Sequence, residues 1–205
     1  LKSDQPMRIK LQAFIHLWSN LAYPFIMIAA LLNFPILLIK LTGNYETEFK
    51  FMSIFIFAFV SSFLFYMYSQ KDVYIDWQER IIFFPVFMAG SMGLAVNNTK
   101  AVFEGLLNKK SEFVRTPKYK IVSKDDSWED KQYIAKKLPW TTYVEAIMAI
   151  YCFCGVVAAI ATAQIAAIPF QMMFFMGFAF TSFLTIQQVT KANRAAKKRL
   201  KLKTA

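Results

Sequence analysis

Residues Ser111 to Tyr119 read Ser-Glu-Phe-Val-Arg-Thr-Pro-Lys-Tyr, a polar, basic, proline-containing stretch between two strongly apolar halves. Arg115 and Lys118 supply positive charge and Thr116 a hydroxyl donor. Phe113 supplies an anchor for apolar surface. These are the groups that would hold an anionic ligand at a membrane face. The plain alternative is a basic cytosolic loop that only sets topology.

A second set lies near the start of the chain. Gln12, His16, Asn20 and Tyr23 recur at the spacing of one helix face. Polar groups in an apolar helix face the protein interior or a wet cavity, so these four are candidates for lining a channel. Interhelical hydrogen bonding is the equal alternative. His16 is the only histidine in the chain, and no relay partner for it is visible. Cys152 and Cys154 stand as C-x-C inside an apolar run with no ligand beside them, which points to core filling. The four acids between Asp125 and Asp130 show no metal-ligand spacing and read as a solvated segment. Glu145 stands one turn into an apolar helix, where the helix dipole favours a carboxylate. Asn97-Asn98-Thr99 matches the glycosylation acceptor pattern but falls in a region that reads as cytosolic and embedded.

The elements that carry these residues belong to a bilayer. The 205 residues are 57% hydrophobic, with 22 Phe, and the apolar runs are too long for a soluble domain. The net charge of +11 gathers in a few loops and a tail. That distribution excludes nucleic-acid binding as the use of the charge and fits an integral membrane protein. Spans are expected at about Leu11 to Leu38, Phe51 to Tyr68, Tyr143 to Ala163 and Phe170 to Val189. Pro24 and Pro35 are placed to kink the first. The second is rich in Phe, including Phe57, Phe59, Phe63 and Phe65; lipid-facing is the default for such rings, and a sliding surface for sugars is the alternative. Ile81 to Val96 has only 16 residues and is interrupted by Pro85, Gly90 and Gly93. It is expected to lie in the interface or re-enter. After it, Asn98 is expected to cap a short helix from Thr99 to Leu107. Pro139-Trp140 looks like an interfacial anchor.

The fold class is therefore all-α integral membrane: four transmembrane helices, an interfacial or re-entrant segment at about 81–107, and a loop at about 111–120. A charged segment at 121–138 and a basic tail at 190–205 complete it. The tail is expected to stop the last helix and to hold anionic headgroups. Ten Lys and Arg lie in residues 100–137 and seven in 191–205. With four crossings, 22 basic residues fall inside against 2 outside; with a fifth crossing the best split is 19 against 5. The positive-inside rule prefers four crossings with both ends cytosolic.

Four words in this arrangement resemble the C-terminal membrane region of family 2 glycosyltransferases of the cellulose-synthase type, nearest the mannan and glucomannan synthase-like branch and its bacterial relatives. They are Leu11-Gln-Ala-Phe-Ile-His-Leu17 continuing through Asn20-Leu-Ala-Tyr-Pro24, then Tyr68-Ser-Gln-Lys71, Asn97-Asn-Thr-Lys-Ala-Val102, and the Ser111 to Tyr119 loop. The likeness runs from residue 1 to about residue 189. The family's gating loop has the pattern F-x-V-T-x-K; Phe113, Thr116 and Lys118 fill its F, T and K places, and Arg115 stands where the family often has Val. The resemblance implies that this loop covers a cytosolic active site, with Thr116 and Lys118 approaching the nucleotide diphosphate. It implies that the interfacial segment cradles a catalytic domain and that the spans form a polysaccharide channel, with Gln12 to Tyr23 a candidate acceptor path.

The same resemblance assigns catalysis elsewhere. The family's D-x-D and Q-x-x-R-W words do not occur, and none of Trp18, Trp77, Trp128 or Trp140 follows an Arg. No catalytic residue, cofactor or metal is therefore expected on this chain, which should be inactive alone. A catalytic domain binding Mg or Mn is expected upstream of residue 1 or on a separate chain. The expected partners are the lipid bilayer, that domain, a nucleotide-sugar and a polysaccharide, and the expected location is a bacterial inner membrane. A stand-alone transporter or assembly subunit with a lipid- or partner-binding loop is the rival. A single-sugar transferase of the same family is a third possibility.

Overall fold

The computed structural model describes residues 4–43, 45–109 and 137–204. The described residues form helices and turns, with no strand among them. Four helical stretches are long and apolar enough to cross a membrane: Met7–Thr42, Glu46–Val73, Trp140–Ala161 and Ile165–Arg194. That number agrees with the hydropathy of the sequence.

The first stretch is two helices, α1 (Met7–Ser19) and α2 (Ala22–Thr42). Pro24 explains the break. It has no N–H for the Asn20 carbonyl, and its ring crowds that carbonyl. The Tyr23 N–H donates to Asn20 O instead, at 3.2 Å. Pro35 lies inside α2 without ending it. Its missing N–H frees the Leu31 carbonyl, and the Tyr151 hydroxyl donates to that oxygen from a different helix. The same phenol ring meets Phe34 edge-on, centroids 5.6 Å apart. A proline in an apolar helix is tolerated when a neighbour satisfies the freed carbonyl in this way. Tyr151→Phe is expected to cost about 1 kcal/mol of bundle stability, read by denaturant titration in bicelles. A loss indistinguishable from zero would show that the hydroxyl does not serve the kink.

The second stretch joins α3 (Glu46–Met52), a 3₁₀ turn (Ser53–Phe55) and α4 (Ile56–Val73). Next come α5 (Trp77–Arg80), a 3₁₀ turn (Ile81–Phe83), α6 (Phe84–Gly93) and α7 (Ala95–Leu106). Trp77–Gly93 and Ala95–Leu106 meet at a bend of 44°, the geometry of a broken span or a re-entrant loop. The short helix expected over Thr99–Leu107 in fact begins at Ala95. The Asn98 N–H donates to Leu94 O at 3.1 Å, so Asn98 is already inside the helix and does not cap it.

α8 (Trp140–Ala161) and α9 (Ile168–Thr204) form the central hairpin, with a 3₁₀ turn (Ile165–Ala167) between them. α9 does not stop at the basic tail; it continues to Thr204. Apart from Asn193 and Thr204, residues 191–205 are Ala, Lys, Arg and Leu, all good helix formers.

Small residues let the helices close. A Cβ on Gly93 of α6 would strike the Gly177 carbonyl of α9, and one on Gly177 would strike the Ala89 carbonyl. Ala89/Gly93 and Gly177/Thr181 are thus two small-x-x-x-small pairs facing each other. α8 buries Thr141, Glu145, Met148, Cys152, Val156 and Ala159, one face at helical spacing. Phe59, Phe63 and Tyr66 of α4 lie 5.3–5.6 Å from the ring of Phe84, which seats α4 on α6. Phe57 and Phe65 point outward, 70% and 78% exposed, as lipid-facing rings would. At the far end of α4, Arg80 Nε donates to Asp76 Oδ1 at 3.0 Å. That hydrogen bond holds the Asp76 carboxyl below the usual carboxylate range.

Candidate functional site

α2 and α8 run side by side in the same direction, since Met27 shares a slot with Val144 and Leu31 meets Tyr151. α1 therefore projects past the first residue of α8. At this end the α1–α2 junction, α7 and the start of α8 converge. Segment 110–136 leaves from the end of α7 and returns just before α8. Its sequence-derived site residues, Phe113, Arg115, Thr116 and Lys118, lie outside the described residues.

The word Asn97-Asn98-Thr99-Lys100 sits at the crossing. On a helix, successive residues point about 100° apart. Asn97 consequently faces α8, where its Nδ2 donates to Glu145 Oε1 at 3.1 Å. Asn98 faces the α1–α2 junction. There it lines a groove of about 700 Å³ with Asn20, Trp18, Phe14 and Leu106. Thr99 and Lys100 face a smaller slot beside Trp140.

The groove is an apolar trough with two carboxamides and an indole. Each carboxamide donates and accepts, and the indole offers a flat apolar face. Such a surface suits a hydroxyl-rich or amphiphilic ligand lying along the interface.

The four polar residues of the first span do not stay together. Gln12 and His16 are exposed on α1, beyond the start of α8. Asn20 lines the groove. Tyr23 packs against the core. The break one turn before Pro24 separates the first pair from the second.

Several polar contacts inside the bundle were not anticipated. Glu145 is 1% exposed, with Thr141 and Thr142 buried beside it on α8. Its partner could have been sought in the nearest polar word, Asn97 to Lys100. Deeper in the bundle, Gln171 of α9 is 1% exposed and donates through Nε2 to Asn33 Oδ1 of α2 at 3.1 Å. Gly155 makes room for that amide, because a Cβ there would collide with it. Asn33 and Gln171 each interrupt an apolar run, which was the available signal. Of the two cysteines, Cys152 is buried in the core and Cys154 is exposed. Among the described residues no three metal-ligating side chains converge.

An all-helical chain with four membrane-length apolar helices has the architecture of an integral membrane protein. Compared with protein-family models, with curated proteins and with solved structures, it finds no match in any of the three.

Proposed function

We propose that this chain is the membrane-embedded, channel-forming and gating part of a nucleotide-sugar-dependent processive glycosyltransferase, with both ends and segment 110–136 on the cytosolic side. One observation carries the proposal. α7, which leaves the 44° bend, the two-carboxamide groove and both junctions of the basic segment lie at one end of the bundle. A gate needs its hinge, its ligand-facing charges and the mouth of the acceptor path to be neighbours. The basic segment holds Lys118 and Thr116, which are suited to the oxygens of a diphosphate. The groove holds Asn20 and Asn98, which are suited to the hydroxyls of an acceptor sugar. Motif resemblance supports the assignment, because Asn97 to Val102 and Ser111 to Tyr119 are two of the words that carry it.

The test uses native membranes with Lys118→Ala in the genomic copy. Incorporation of label from UDP-glucose or GDP-mannose is expected to fall about tenfold or more at donor concentrations below saturation, the loss of one charged hydrogen bond. The amount of the protein in the membrane should not change. Unaltered incorporation at low donor would remove the gating role. Wild-type incorporation that is independent of this gene would remove the synthase assignment in favour of a transporter or assembly subunit.

A further inference from the structure

We infer that the slot between α7 and the start of α8 is a binding site for one anionic glycerophospholipid. The slot has a volume of about 360 Å³. At its mouth the Lys100 ammonium lies 5.6 Å from the centre of the Trp140 ring. Trp140 is the first residue of α8 and is 56% exposed, the placement of an aromatic at the headgroup level. The walls behind are apolar, with Phe103 and Leu107 among them. Val144 lies one turn into α8 below Trp140, facing Met27 of α2 and Val96 of α7. The slot therefore has a cation and an indole at the headgroup level and hydrocarbon beneath, the polarity profile of a phospholipid standing in its leaflet.

One further feature favours an anionic headgroup over a zwitterionic one. Glu104, the carboxylate on the slot, is bound by Lys109 Nζ at 3.1 Å and also feels Lys100, so the three groups together keep one net positive charge for a ligand. Thr99 lines the same slot, and its buried hydroxyl has no hydrogen-bond partner among the described residues. A phosphate or ester oxygen, common to both headgroup classes, would supply one once the side chain turns into the slot. Lys100 and Thr99 belong to the Asn97 to Lys100 word at the crossing, so a lipid seated here would brace α7 against α8 beside the groove. The site does not depend on the glycosyltransferase proposal; it needs only that the helices lie in a bilayer.

The experiment is native mass spectrometry of the full chain released from nanodiscs of equal phosphatidylglycerol and phosphatidylcholine. One retained lipid with a preference of about fivefold for phosphatidylglycerol is expected, the effect of one lysine at a membrane surface. Lys100→Gln should bring the ratio near one. Val144→Trp, which keeps the charge and fills the slot, should remove the retained lipid. A brominated phosphatidylglycerol should quench Trp140 more than its phosphatidylcholine analogue in a variant carrying Trp18→Phe, Trp77→Phe and Trp128→Phe. Equal retention of the two lipids by the wild type overturns the site, as does an unchanged preference in both slot variants. Displacement of the lipid by millimolar inorganic phosphate overturns it in favour of a free-anion site. Because the readout is lipid rather than sugar incorporation, failure here leaves the synthase proposal standing, and the reverse also holds.

Discussion

Gly177→Val is expected to pry α6 from α9 at a cost of about 3 kcal/mol. The Cβ would meet backbone, the Ala89 carbonyl and the Gly93 nitrogen, rather than the yielding end of a side chain. Relief requires the two helices to separate. The separation would pull Phe84 away from the aromatic side chains of α4, and Thr181 Oγ1 away from Gly93 O, which it approaches at 3.4 Å. Apolar side chains on the outside would gain nothing to offset this, because lipid is as apolar as the helix it would replace. Gly90 is the matched control. It lies on the same helix, and a Cβ there meets nothing within 4 Å. Gly90→Ala should be neutral or stabilising by up to about 1 kcal/mol through helix propensity. Both are read by reversible unfolding in bicelles, followed by far-UV circular dichroism. Equal midpoints for the two variants would mean that the Gly93–Gly177 crossing does not hold the bundle closed.

Glu145→Ala is expected to cost about 2–3 kcal/mol, and Glu145→Gln much less. The alanine variant opens a cavity at a side chain only 1% exposed and strands the Asn97 amide that donates to it. The glutamine variant keeps an acceptor oxygen of nearly the same shape. If the carboxylate matters only as an acceptor for Asn97, Asn97→Ala should remove the part of the difference between the two Glu145 variants that the stranded amide causes, leaving the cost of the cavity. The double-mutant cycle Asn97→Ala with Glu145→Ala isolates that coupling. An additive cycle would show that the contact contributes nothing and that the charge of Glu145 serves another purpose. Because α7 carries the groove and leads into the basic segment, both variants should also be scored for sugar incorporation in native membranes.

Much of the architecture was legible from runs and breakers. The span expected at Phe51 to Tyr68 lies within the helix Glu46–Val73, and the one expected at Tyr143 to Ala163 overlaps Trp140–Ala161 except for its last two residues. The interruption by Pro85, Gly90 and Gly93 corresponds to a bent pair rather than a straight span. Helix ends were less legible. Asn98 has the chemistry of a cap, yet Leu94 connects α6 and α7 through its own helical hydrogen bonds, which leaves no free N–H for Asn98 to cap. The tail's charge suggested a stop, but charge sets membrane position rather than helix termination, and α9 runs on.

The candidate site was half legible. Asn20 and Tyr23 were singled out by spacing, but spacing presumes one continuous helix, and Pro24 interrupts it before the face reaches Gln12 and His16. Asn97 and Glu145 were noted without revealing their partners, and Asn33 and Gln171 were not singled out although each interrupts an apolar run.

By itself the sequence determined which segments are apolar enough to cross a membrane, where the basic charge collects and where the chain must bend. These follow from composition over a few turns, through hydrophobic transfer and proline sterics, which are local. Only the tertiary structure decided that Asn97 meets Glu145 across 48 residues and that Tyr151 meets the carbonyl freed by Pro35 across 120. Such pairings depend on the rotation and depth of one helix against another. In a bundle with lipid-like surfaces, hydrophobicity leaves both free, and close packing at Gly93, Gly155 and Gly177 sets them.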